Sequence, residues 1–256
     1  MSRAGSLRRI ARLMALAPAF LIGLPLQALA VRLNSRAARI LPLWFHRYAC
    51  RVLGIRRQVS GPLPAGGSVL LVANHVSWLD IIVIGATLPI SFVARADLAG
   101  WPGAGLLARL QRSVFVDRTR RKATRPATGE IAQRLAGGEA IVLFAEGTTS
   151  DGNRVLPFRP ALLAAADGSA PVQPLVLHYR SLDGLPLDRR TRPLVAWYGD
   201  MDLVPHLGEL FRRGPVDVAL HFGSPVHQGG DRKMLARRLE AEIRATAARL
   251  RLGRDV

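Results

Sequence analysis

The chain is predicted to fold as an α/β protein with a mostly parallel central sheet flanked by helices, carrying an N-terminal membrane-associated helical segment. Three observations lead there. From residue 68 onward, short apolar runs alternate with helix-length stretches, and no internal repeat interrupts them. The first four runs are short and apolar, as expected of strands buried on both faces. A charge-free stretch, Leu13–Val31, comes before them all.

That stretch contains Gln27 as its one strongly polar side chain. As a helix it would extend roughly 28 Å, about the thickness of a bilayer core. Arg3, Arg8, Arg9 and Arg12 precede it; Arg32, Arg36 and Arg39 follow. Pro18 and Pro25 are expected to kink it, and a kinked segment need not cross the bilayer. The same basic start, apolar middle and Ala28-Leu29-Ala30 also fit a signal peptide with its cleavage site. Next, Arg36, Arg39, His46, Arg47 and Arg51 recur at helical spacing among Leu41, Leu43, Trp44, Phe45, Tyr48 and Val52. This pattern predicts a basic amphipathic helix lying in the lipid interface; a surface helix packed on the core is the plainer alternative. Residues 1–55 are therefore expected to anchor the chain, and residues 56–256 to form its working domain.

Val69–Ala73, Ile90–Ala94, Val114–Val116, Ala140–Ala145 and Val172–His178 read as strands, with Trp78–Thr87, Gly105–Gln111 and Thr124–Leu135 as the helices between them. A β-α-β order of this kind joins strands in parallel. Pro193–Tyr198 and Val216–Phe222 read as later strands. In the second, Asp217, Ala219 and His221 alternate with larger apolar residues, predicting an exposed face. Lys233–Leu250 carries Leu235, Leu239, Ile243, Ala247 and Leu250 on one side, an amphipathic helix whose arginines form a solvated face.

At 256 residues the chain can bury one full core. Lys and Arg number 36 against 18 Asp and Glu, a formal charge of +18. Such an excess calls for an anionic partner: nucleic acid, anionic lipid or an acidic carrier protein. The basic residues are dispersed and contain no nucleic-acid-binding motif, so membrane is favoured and nucleic acid is not expected. A single cysteine, Cys50, excludes an intrachain disulfide and a cysteine metal cluster. No metal-ligand spacing, G-x-S-x-G elbow or P-loop occurs, and Gly100–Gly105 has the wrong spacing for a dinucleotide fingerprint.

Chemistry concentrates at two strand ends. Asn74-His75-Val76-Ser77-Trp78-Leu79-Asp80 places a histidine and an acid five residues apart directly after Val69–Ala73. A histidine there can serve as general base, and a carboxylate can orient it. Ser77 with Asp80 also has the spacing of a helix capping box; an acid in the first turn can cap and still reach back to His75. Phe144-Ala145-Glu146-Gly147-Thr148-Thr149-Ser150 follows the strand at 140–145. Gly147 permits a tight turn whose N–H groups can receive an anion, although an ordinary capped turn has the same composition. Arg118, after the strand at 114–116, is a candidate phosphate ligand; Arg120, Arg121, Lys122 and Arg125 read as a solvated basic run attracted to anionic lipid.

Together, in this order, these pieces resemble the glycerolipid acyltransferase family that includes lysophosphatidate acyltransferase. Asn74-His75…Asp80 is similar to its first motif, Phe115–Arg118 to its second, Phe144–Thr148 to its third and Val172–Leu175 to its fourth. The resemblance covers roughly residues 65 to 230, within one domain. It implies that His75 and Asp80 are the catalytic pair, and that Arg118, Glu146, Gly147 and Thr148 contact substrate. It also implies direct acyl transfer from acyl-CoA or acyl carrier protein to a lysolipid hydroxyl, with no metal or other cofactor. Oxyanion donors are expected among N–H groups near Gly147 or beside Pro174. Two departures bear on the acceptor: Ala145 stands where the family usually has proline, and Thr149 where arginine is common. The first expectation is 1-acyl-glycerol-3-phosphate going to phosphatidate; the alternative is O-acylation of lyso-ornithine lipid, which lacks a phosphate. A non-catalytic basic membrane-binding protein is the distant alternative. The expected location is the cytoplasmic face of the inner membrane, where the acyl donors are.

Overall fold

The computed structural model describes residues 3–117, 124–166, 170–227 and 231–254. Two helices lead, α1 (Arg3–Arg32) and α2 (Ala37–Leu53). They are joined through Asn34, which sits in the left-handed region at φ 46°, a conformation that asparagine tolerates better than most side chains. Gly54, at φ 73°, closes α2 by returning its N–H to the last carbonyls of the helix. The chain then alternates: β1 (Ile55–Ser60), β2 (Val69–Ala73), α3 (Leu79–Gly85), β3 (Ser91–Arg95), α4 (Ala104–Leu110), β4 (Val114–Val116), α5 (Thr124–Ala136), β5 (Ala140–Phe144). After a 3-10 helix at Pro160–Ala166 come β6 (Val172–Leu182), β7 (Leu185–Pro186), α6 (Leu203–Leu210), β8 (Val216–Phe222) and α7 (Arg232–Arg251).

The strands form one sheet in the order β1-β8-β6-β2-β5-β3-β4, with β7 paired to β6. Every pairing is parallel except β6 with β8 and β6 with β7. Central strands alternate between two apolar layers. Val69, Leu71 and Ala73 of β2 and Ala140, Val142 and Phe144 of β5 face a layer completed by α1, α2 and α3. Leu70, Val72, Ile141 and Leu143 face the opposite layer, closed by α5, the 160–166 helix and α7. Both faces are covered, which is why β2 and β5 have no polar positions.

The strand at 193–198 is a correction. Arg192–Leu194 is a short 3-10 helix, and residues 195–198 are not in a strand. The Trp197 N–H bonds the carbonyl of Val76 instead of a ladder partner. β1 and α6 were not expected: β1 (Ile-Arg-Arg-Gln-Val-Ser) is a largely polar edge strand, and α6 is only two turns long. In β8, Asp217 and His221 are half-buried and Ala219 is buried under α7's layer, so its second face is covered.

α1 is one helix of 30 residues running through both prolines, and Ala28-Leu29-Ala30 lies inside it. Two buried polar side chains dock it. The Arg12 guanidinium donates to the carbonyls of Val52, Leu53, Leu210, Phe211 and Arg213 at 2.6–3.3 Å, closing the C-terminal ends of α2 and α6 together. Gln27 Nε2 donates to Ala38 and Leu110 at 2.9 and 2.7 Å. Leu16, Ala49, Cys50 and Leu53 join the same apolar layer as the sheet, so α1 and α2 share its core. His46, expected on α2's basic face, is buried, with its ring lying on Gly85 of α3. Trp44, Ile40 and Tyr48 point outward instead.

Candidate active site

The site lies at the C-terminal ends of β2 and β5, where parallel α/β sheets leave a crevice. The chain leaves β2 at Ala73 and turns into α3, which lies over the α1–α3 layer. Asp80, in α3's first turn, is wholly buried there. One of its oxygens, Oδ2, accepts the Val76 N–H at 2.7 Å and the Ser77 N–H at 3.0 Å, and lies 2.8 Å from His75 Nδ1. Ser77 Oγ accepts the Leu79 N–H at 3.4 Å. The Ser77 N–H on Asp80 Oδ2 is one half of a capping box, and the same oxygen meets His75, so the turn holds Asp80 where His75 can reach it.

The other oxygen, Oδ1, accepts the Tyr179 hydroxyl at 2.7 Å. Tyr179 lies on the α3-facing side of β6, and burial together with Asp80's charge holds its phenol protonated well above the usual range. With Nδ1 donating to Asp80, His75 Nε2 is left as the basic nitrogen. The imidazole stacks on Phe144, at the end of β5, with centroids 3.8 Å apart and planes at 12°; Phe144 stacks in turn on Phe92. The ring is 19% exposed, so one edge reaches solvent while the pair beneath it stays dry.

The two polar loops are stitched through the backbone of His75. Glu146 Oε1 accepts the His75 N–H at 2.7 Å, and the Ser150 N–H donates to the His75 carbonyl at 2.9 Å. The second oxygen of Glu146 accepts the Leu156 N–H at 2.8 Å. Burial, opposed by these two bonds, pushes the Glu146 carboxyl up to about 7. Asn74 holds β6 from the same loop, exchanging two hydrogen bonds with the Leu177 backbone at 2.9 and 3.0 Å.

The sequence-predicted site residues separate accordingly. His75 and Asp80 are in contact. Glu146 is buried beside them with its two oxygens accepting from backbone N–H groups. Gly147 has φ 78°, and its N–H turns back to the Phe144 carbonyl, so it is not free for an oxyanion. Thr148 is exposed at the rim. Arg118 lies outside the described residues. Among those described, no group of three or more His, Cys, Asp or Glu side chains could hold a metal. Tyr179 was missed; it is 99 positions from Asp80, and nothing local marks it.

Comparison with known proteins agrees with this geometry. A family model described as Acyltransferase matches residues 56–178. The lyso-ornithine lipid O-acyltransferase of Brucella abortus (strain 2308) is 45% identical over 243 residues, 91% of this chain and 91% of that one. The 1-acyl-sn-glycerol-3-phosphate acyltransferase of Neisseria gonorrhoeae is 32% identical over 204 residues, 78% of each chain. The crystal structure of the 1-acyl-sn-glycerophosphate (LPA) acyltransferase, PlsC, from Thermotoga maritima superposes with a TM-score of 0.68 at 22% identity, covering 96% of this chain and 95% of that one, a likeness of fold. A doubly covered α/β sheet with a histidine–carboxylate pair at its carboxyl edge is here the acyltransferase fold: the chain belongs to the glycerolipid acyltransferase family. Within it the chain is an enzyme of the lysolipid O-acyltransferase type.

Proposed function

We propose that this enzyme transfers a fatty acyl group from acyl-CoA or acyl carrier protein to the free hydroxyl of lyso-ornithine lipid. The observation that carries the acceptor is Thr149, which stands where a phosphate-binding arginine is common, in a chain 45% identical to a lyso-ornithine lipid O-acyltransferase. Acylation of 1-acyl-glycerol-3-phosphate to phosphatidate, the first expectation from sequence, is the second reading, favoured by the Neisseria relative.

His75 Nε2 takes the proton of the acceptor hydroxyl while Asp80 holds the imidazole and balances its charge. The oxygen attacks the thioester carbonyl, the C–S bond breaks, and the thiol leaves with the proton returned by His75. Tyr179 and the Val76 and Ser77 N–H groups fix Asp80; Glu146 and Ser150 fix the backbone of His75. Glu146 is thus a positioning residue, and Gly147 shapes the turn that brings it under the loop. Every step uses the chain's own residues, and no metal is needed.

The acceptor's tail stays in lipid, so the enzyme works at a membrane surface. α1 is roughly 45 Å long at the standard rise, more than a bilayer core. It nonetheless reads as lying along the surface. Arg12 and Gln27 are about 22 Å apart along the helix, and both are bonded to the globular core, so an upright α1 would drag core carbonyls into hydrocarbon. Its exposed side carries Leu21, Ile22, Leu26, Leu29 and Leu33, continued by Ile40 and Trp44 of α2. This apolar face beside a chain of charge +18 suits the anionic, cytoplasmic leaflet, on the side where the acyl donors are.

Purified protein given labelled donor and both acceptors tests the reading. Ornithine-lipid product, abolished by His75→Ala in a folded protein, is expected. Product from the phosphate acceptor alone would replace the first acceptor with the second, and a fully active His75→Ala protein would overturn the mechanism.

A further inference from the structure

Beside the His75 loop the surface dips into a shallow, open depression, walled in part by Val76, Asp151, Gly152, His178, Arg192 and Ala196. Two backbone contacts set its position. Ser150, which holds the His75 carbonyl, is followed by Asp151; Trp197, which holds the Val76 carbonyl, is preceded by Ala196. The depression therefore adjoins the backbone of His75 through one segment and that of Val76 through another.

Its polar lining is of mixed charge. Asp151 feels Arg192 electrostatically, yet the two form no ion pair within 4.0 Å. Asp151 accepts the N–H of Asn153 at 2.9 Å and its Nδ2 at 2.6 Å. Burial works against its charge, but these bonds and the nearby arginines Arg192 and Arg154 keep the carboxyl below its ordinary range. Arg192 Nε is buried without a hydrogen-bond partner among the described residues. His178 is pushed down to about 4 by burial and by the charges of Arg251, Arg180 and Arg192, and adds polarity without charge at neutral pH. Arg192 Nε thus lacks a partner although Asp151 lies on the same concave surface, an unfavourable arrangement for a charged group drawn partly out of water.

We propose that this depression is the headgroup subsite for a zwitterionic acceptor, with Arg192 receiving a carboxylate and Asp151 an ammonium, the two charges that an ornithine headgroup presents. Such a ligand turns one open pair into two closed ones. A phosphate monoester would instead bring two negative charges against Asp151, in a loop that carries Thr149 in place of arginine. The subsite thus selects the acceptor by attraction at one end and repulsion at the other. It rests on the lyso-ornithine reading above.

The test uses the purified full chain with two acceptors: lyso-ornithine lipid, and the same lipid with its amine acetylated. Asp151→Asn removes the charge and keeps one oxygen for the Asn153 N–H, giving up the bond from Asn153 Nδ2. Its KM for lyso-ornithine lipid is expected to rise about tenfold, the loss of one charge-assisted contact. With the acetylated lipid, the variant-to-wild-type ratio of KM should fall close to one. Arg192→Gln should show the matching pattern when the carboxylate is masked as a methyl ester. Equal penalties on free and masked acceptors, or no penalty on either, would overturn the subsite while leaving the acceptor assignment standing. A wild-type protein that does not acylate lyso-ornithine lipid at all would fail the assignment itself, and the subsite with it.

Discussion

The Tyr179 hydroxyl donates to Asp80 Oδ1 at 2.7 Å, completing a set of four hydrogen bonds on a carboxylate that has no solvent-exposed surface. Tyr179→Phe removes one donor and leaves the ring in place. Buried hydrogen bonds of this kind contribute about 1–2 kcal/mol. The variant should therefore unfold at lower urea, and its kcat should fall about tenfold as Asp80 gains freedom, by the usual conversion of about 1.4 kcal/mol per decade. KM for the acceptor should stay put. Asp80→Asn should be far worse, losing on the order of 10³–10⁴ in kcat, since an amide offers one acceptor oxygen to four donors. Initial rates on folded protein check both.

Glu146 governs a pH dependence of stability. Its folded pKa is about 7 against an ordinary 4.5, so folding retains a proton that the unfolded chain releases between those values. Its contribution is fully present below pH 4.5 and is lost as pH rises through 7. His178, depressed to about 4, acts in the opposite sense, so the measurement must be a difference. The stability of wild type minus that of Glu146→Gln should decline by up to about 3 kcal/mol from pH 4.5 to pH 8. Urea unfolding across that range reads it. A pH-independent difference would mean that Glu146 is ionised throughout.

Gly85 is required by His46. A methyl group at Gly85 would run into the imidazole that packs α2 on α3. Gly85→Ala should destabilise the fold by about 1–3 kcal/mol, as overpacking does. His46→Ala in the same chain should restore part of that loss, and a thermal double-mutant cycle measures the coupling.

Arg12→Met should cost about 3 kcal/mol or more, because the carbonyls of two helix ends lose a charged donor at once. The released N-terminus should also be cut faster by trypsin. Unchanged digestion would show that the apolar contacts alone retain α1.

Ile22→Glu with Leu29→Glu places charges on the exposed side of α1 without touching the core. Flotation with anionic vesicles should fall by tenfold or more, on the order of the cost of moving two carboxylates to a lipid face, while the melting temperature holds. Undiminished flotation would place the membrane contact elsewhere.

The legible parts were those written in consecutive residues. β2 and β5 declare themselves because burial on both faces leaves no polar position, and His75 with Asp80 because the two stand five residues apart directly after β2. Residues 193–198 read as a strand because Leu194, Val195 and Ala196 form an apolar run, yet their burial comes from packing against the His75 loop and not from a ladder. Only two of the six residues of β1 are apolar, and it pairs with β8 at the sheet edge. Tyr179 needed β6 placed beside β2, a pairing between strands about a hundred residues apart. His46 looked basic because spacing shows which residues share a face, and not which face turns inward.

The Arg12 contacts span 198 to 201 residues at their longest. At ribosomal speeds of ~5–20 residues per second, Leu210 emerges ~10–40 s after Arg12. During that interval α1 has no α6 to bind, and its apolar side is free to settle on lipid. The contact that ties the first helix to the core is therefore among the last that synthesis makes possible.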